Sequence, residues 1–173
     1  MMTAAVLVAC TPRPPPRNNV GTAVQDQVGQ VLLRNVSVDK PPNEQYEPGD
    51  VDRLRVVLFN QALAPDVLTS ITSPAADSVT ITLDRDCNGE PEQVSELQLR
   101  ANPLVNKPDV LKPSGLRVPY RIHMLVNQRL DIGGNVPVTF TFRNAGSVTI
   151  AVPVEPDAGV QYPDGQPACE PVT

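Results

Sequence analysis

Val136-Pro137-Val138-Thr139-Phe140-Thr141-Phe142-Arg143-Asn144-Ala145-Gly146-Ser147-Val148-Thr149-Ile150-Ala151-Val152-Pro153-Val154 is the stretch on which the fold turns. Val138, Phe140 and Phe142 alternate with Thr139 and Thr141, and then Val148, Ile150, Val152 and Val154 alternate with small or polar residues. A period of two puts one set on a buried face and the other on a solvated face, which is the pattern of a half-buried strand. The two runs are joined by Arg143-Asn144-Ala145-Gly146, whose Gly supplies the positive φ of a tight reversal. This is an antiparallel hairpin.

Working outward, the rest of the chain also reads as strands. Val31 to Val38 is one run, and Leu54 to Phe59 is apolar on both alternations, as in a strand covered on both sides. Val67 to Ile71 is short. Ser78 to Leu83 places Val79, Ile81 and Leu83 inward, with Thr80 and Thr82 outward. Val94 to Leu99 is a single amphipathic run with Leu97 and Leu99 as core candidates. Leu116 to Val126 is interrupted by Pro119, which suggests an edge or a bulge. Twenty Pro among 173 residues and no Trp argue against long helices and for an aliphatic core. Short strands at regular spacing predict a single all-β domain, an antiparallel sandwich or barrel. The net charge of −5, with no basic run, argues against nucleic acid as a partner.

Leu7-Val8-Ala9-Cys10 ends a short apolar run and reads as a lipoprotein processing site. On this reading residues 1–9 are a signal peptide. Cys10 receives the diacylglycerol and further acyl chains such as palmitate, and the mature chain sits on the outer face of the cytoplasmic membrane. The alternative is a frayed apolar N-terminus. Thr11 to Gln27 is rich in Pro and polar residues and cannot bury enough surface to order itself, so residues 10–28 are expected to be a tether. The β domain then spans 29–155, and 156–173 is a Pro-rich C-terminal tail. Abundant Ala, Val and Pro, with Arg in excess of Lys, point to a GC-rich, actinobacterial genome.

Three motifs in the C-terminal half carry a resemblance: Leu111-Lys112-Pro113-Ser114-Gly115; Gly133-Gly134-Asn135 leading into Val136 to Phe142; and Asn144-Ala145-Gly146 leading into Ser147 to Val154. With Asp52-Arg53-Leu54 and Leu68 to Val79 upstream, they resemble the PCu(A)C-type periplasmic copper chaperones over about Val31 to Val154. The processing site and tether look especially like the actinobacterial LpqE-type lipoproteins. The resemblance implies a cupredoxin-like Greek-key β-sandwich. It also implies Cu(I) held by two His and two Met, soft or borderline ligands suited to that ion. In this chain the family's His-x-Met pair falls at Tyr120 and Ile122, and its first His at Thr82. None of these is a copper ligand, so copper is implied only by the resemblance and no cofactor is expected.

Other candidate sites stand on the residues alone. His123 and Met124 are strand neighbours whose side chains point to opposite faces, so they cannot chelate one ion together. Cys87 and Cys169 remain once Cys10 is acylated, and an even number in an exported domain reads as a disulfide; reduced, they would be two soft metal ligands. Asp84, Asp86 and Asn88 before Gly89 follow the first half of a calcium loop, though Ser95 stands where the closing Glu belongs, and a polar hairpin turn explains the same residues. Glu44 with Glu47, and Asp50 with Asp52, are expected to be solvated carboxylates in polar turns. A single His, no Gly-x-Ser-x-Gly elbow and no phosphate loop argue against an enzyme. The expectation is a membrane-anchored, non-catalytic binding or scaffolding module with an envelope protein partner; the alternative is a metal chaperone using the thiols or a site shared between molecules.

Overall fold

The computed structural model describes residues 23–101 and 120–155. Two antiparallel sheets pack face to face. The first has six strands in the order β1 (Val24–Val28), β2 (Val31–Val38), β4 (Val51–Asn60), β9 (Tyr120–Val126), β6 (Ala76–Leu83) and β7 (Glu92–Val94). The second has four, in the order β12 (Gly146–Pro153), β11 (Asn135–Phe142), β5 (Asp66–Thr72) and β8 (Leu97–Leu99). A two-stranded ribbon of β3 (Gln45–Tyr46) and β10 (Leu130–Asp131) closes one end. The described residues contain no helix.

The hairpin that opens the sequence argument forms as its alternation requires. Phe142 pairs with Gly146 and Val136 with Val152, and Gly146 takes φ 93°, so the three residues between the strands can turn tightly. Val136, Val138, Phe140 and Phe142 fill the space between the sheets, with Phe140 fully enclosed. Against them, from the other sheet, come Leu33, Leu54, Leu58, Ile122 and Met124. Few aromatics are needed, because β-branched and Leu side chains interdigitate well between pleated faces.

The structure corrects several expectations. Val94 to Leu99 is not one strand. β7 pairs with β6 in the first sheet and β8 with β5 in the second, so the chain changes sheets at Ser95-Glu96 and its apolar residues serve two faces. The stretch read as a tether enters the fold at Val24: β1 pairs with β2, from Val24 opposite Val36 to Val28 opposite Val31. Only its Val24 and Val28 pack on the core, too weak an alternation to stand out in the sequence. The run broken by Pro119 gives an interior strand, β9, flanked by β4 and β6; Pro119 lies outside the described residues. Asp52 is no turn residue but part of β4, on its inward face.

Candidate functional site

The places to which the resemblance assigns copper ligands lie on β9 and β6. Tyr120 pairs with Leu83 and Ile122 with Ile81, whereas Thr82 pairs with Arg121. Cross-strand partners share a face, so Thr82 looks outward while Tyr120 and Ile122 look inward; the β6 residues on their side are Ile81 and Leu83. Ile122 and Leu83 are buried. The Tyr120 hydroxyl donates to the Val56 carbonyl oxygen on β4 at 2.7 Å, and burial raises its pKa above the usual phenol range. The face that would carry ligands is therefore apolar and closed by one hydrogen bond.

His123 and Met124 divide as their strand parity demands. Met124 is a core residue. His123 lies half-buried on the outer face, its Nδ1 3.2 Å from the Asp52 carbonyl oxygen. They do not meet.

The candidate calcium loop turns its oxygens on itself. Asp84 Oδ1 accepts from the Asn88 amide at 3.0 Å, and Oδ2 accepts from the Gly89 amide at 2.9 Å. Asn88 Oδ1 accepts from the Glu90 amide at 2.8 Å, while Asp86 is exposed. These bonds close a turn in which Cys87 takes φ 56° and Gly89 φ 82°, so the sequence pattern is met by backbone capping between β6 and β7. Cys87 packs on the core edge and is not without a partner. Cys10 and Cys169 lie outside the described residues. Among the described residues, no three His, Cys, Asp or Glu side chains come together as a metal site.

The group that sequence reasoning placed wrongly is Asp52. It is 1% exposed. Oδ1 accepts from the Met124 amide at 3.2 Å, and Oδ2 has no partner. Burial pushes its carboxyl up to about 7; Asp39 adds to the rise and the Met124 amide opposes it. Tyr46 on β3 is buried nearby, its hydroxyl donating to the Asp39 carbonyl oxygen at 3.1 Å. Burial, together with Asp52, Asp39 and Asp50, raises that phenol to about 12. Arg55 forms an ion pair with Asp39. One signal was available in the sequence: Asp52 keeps step with Leu54, Val56 and Leu58, the inward positions of β4.

Two solved structures share this architecture. One, described as the copper-bound PCuAC domain from PmoF2, has a TM-score of 0.54 at 18% identity, over 76% of this chain and 97% of that one. The other, the apo PmoF2 PCuAC domain, has a TM-score of 0.55 at 17% identity, over 76% and 94%. At such identities the likeness is one of fold. No protein with a curated description matches the sequence. Residues 31–154, from the first core strand of the large sheet to the residue that ends the hairpin, match the LpqE-like lipoprotein family model, and the chain belongs to the LpqE-like family.

Proposed function

We propose that this chain is a lipid-anchored protein of the cell envelope whose PCuAC-like sandwich serves as a non-catalytic binding or scaffolding module and no longer carries copper by the family's ligand set. One observation carries the reading. Tyr120 and Ile122, where the resemblance places the His-x-Met pair, face a closed core in which the Tyr120 hydroxyl is bonded to Val56. A soft monovalent ion needs several thioether, imidazole or thiolate donors, and that face offers only the single thioether of Met124, buried in the core. The anchor is Cys10, acylated once residues 1–9 are removed, which fits a family whose model is named for a lipoprotein. On this reading the domain lies on the outer face of the cytoplasmic membrane and meets an envelope protein as partner.

The reading includes a disulfide between Cys87 and Cys169. Its support is that Cys87 and Cys169 are the two cysteines of this sequence left once Cys10 is acylated, an even number in an exported domain. Cu(I) titration of the chain from Thr11 against a competing chelator tests the loss of copper. No binding is expected with the cysteines oxidised. Tight stoichiometric binding in that state would restore a carrier role, and binding after reduction alone would assign it to the thiols.

A further inference from the structure

The outer face of the six-stranded sheet is basic in a chain whose net charge is −5. Arg34, Arg53 and Arg55, Arg121 and His123 all point to this side by strand parity, and Arg53 pairs across the sheet with His123, which pairs in turn with Thr80. Two of these cations are already occupied. Arg55 holds Asp39, and Arg34 donates to the carbonyl oxygens of Asp26 and Leu33. Arg53 and Arg121 are exposed, with no ion-pair partner among the described residues. Beside them the cross-strand pair Val51 and Leu125 is 61% and 36% exposed.

We infer that this face is the docking surface of the chain's own C-terminal segment, residues 156–173. The place where the described chain ends is the first argument. Val154 bridges Val38 at the open edge of the sheet, the Glu155 amide donates to the Val38 carbonyl oxygen at 3.0 Å, and the next residue of β2's exit, Asp39, donates its amide to the Arg53 carbonyl oxygen. The segment therefore starts one strand away from Arg53. Charge is the second. Residues 156–173 carry Asp157, Asp164 and Glu170, and no Lys or Arg.

Reach is the third, and it rests on the Cys87–Cys169 pairing proposed above. A segment held at Val38 and at the β6–β7 turn must pass β4 and β9. The inner side of that sheet is filled by the core, so the direct route runs over Arg53, His123 and Arg121. Three strand spacings are roughly 14 Å, and the residues from 156 to 168 extend to about 40 Å. Length is ample. Carboxylates tethered beside unpaired guanidinium groups act at high effective concentration, so weak surface pairs suffice to hold them.

Arginine modification by a dicarbonyl reagent, mapped by mass spectrometry, tests the placement. The full chain carrying Cys10→Ser is compared with the same chain ending at Glu155, and with a full-length variant carrying Asp157→Asn, Asp164→Asn and Glu170→Gln. Arg53 and Arg121 are expected to react several-fold more slowly in the full chain than in either variant, while Arg129 and Arg143 react alike in all three. Equal rates at Arg53 and Arg121 across the three would overturn the inference, as would protection that grows with protein concentration, which would put a second copy on the face. Peptide mapping without reduction reads the Cys87–Cys169 bond separately. Protection without the bond leaves the docking standing and removes the pairing; the bond without protection does the reverse.

Discussion

Two buried aspartates, Asp52 near the start of β4 and Asp66 at the start of β5, solve the same problem differently. Asp66, the first residue of β5, is 4% exposed. Its Oδ1 accepts from the amides of Val67 at 2.7 Å and Asn144 at 2.9 Å, and its Oδ2 from that of Ala145 at 2.9 Å. The carboxylate thereby ties the start of β5 to the loop of the β11–β12 hairpin. Ala145 in turn lies against Gly29, where a Cβ would come within 3.2 Å. Asp52, the second residue of β4, is more deeply buried and receives one amide. A carboxylate with three donors replaces its hydration shell inside the fold; one with a single donor does not, and holds a proton instead. Residue type and burial alone do not say whether a buried acid stabilises. The number of donors does.

Removing the better-served carboxylate should have the largest effect. Asp66→Ala strands three amides at once, and the expected loss is about 3 kcal/mol or more in urea unfolding. A loss below about 1 kcal/mol would mean that water replaces the carboxylate there and that the contrast between the two sites is false. Asp52→Asn should act in the opposite direction. Its folded carboxyl, near 7, holds a proton to higher pH than the ordinary value of 3.8. The folded chain therefore binds more protons than the unfolded chain between those values. Stability falls as pH rises across that window and is level above it. The Asn variant keeps an acceptor for the Met124 amide and has no charge to bury, so at pH 8 it should be more stable by roughly 1–3 kcal/mol. Unfolding curves at pH 5 and pH 8 check this. A parent chain whose stability is the same at both would show that Asp52 ionises without cost.

The same pair shows where sequence reading works and where it stops. The hairpin from Val136 to Val154 was legible because its pleat repeats over two long strands and its turn residue admits positive φ. The interior of β4 was legible through Leu54, Val56 and Leu58. Asp52 extends that alternation by one step, yet an acid beside Asp50 reads as a turn; only the pairing of Asp52 with Met124 places it inside. The break between β7 and β8 was hidden for a related reason. Val94, Leu97 and Leu99 look like one strand face, and nothing local records that their partners lie in different sheets. The ligand positions came through the resemblance, but their directions did not. That Thr82 faces away from Tyr120 and Ile122 follows from the β6–β9 register, a long-range property.

Smaller effects sharpen the contrast between served and unserved polar groups. Tyr120→Phe removes the donor to Val56 but keeps the ring, so one carbonyl oxygen loses its partner. A loss of about 1 kcal/mol is expected, and no gain in Cu(I) affinity, because Phe adds no ligand. A gain in affinity would mean that the tyrosine hydroxyl, rather than the lack of soft donors, keeps metal out.

Arg143→Ala should do least, although it removes two short hydrogen bonds. Arg143 Nη2 lies 3.0 and 2.9 Å from the two oxygens of Glu96, on geometry as good as any ion pair in the described residues. The side chains, however, are 53% and 38% exposed. Water solvates both charges whether or not they meet, and ordering two long side chains costs most of the attraction, so the change should stay within about 0.5 kcal/mol and shrink further in salt. The Arg143 amide, which donates to the Val67 carbonyl oxygen at 2.9 Å, is untouched by the substitution, so the hairpin keeps its anchor to β5. A loss comparable to that of Asp66→Ala would mean that the hairpin loop is held from its surface, and the buried carboxylate would lose its place as the clamp.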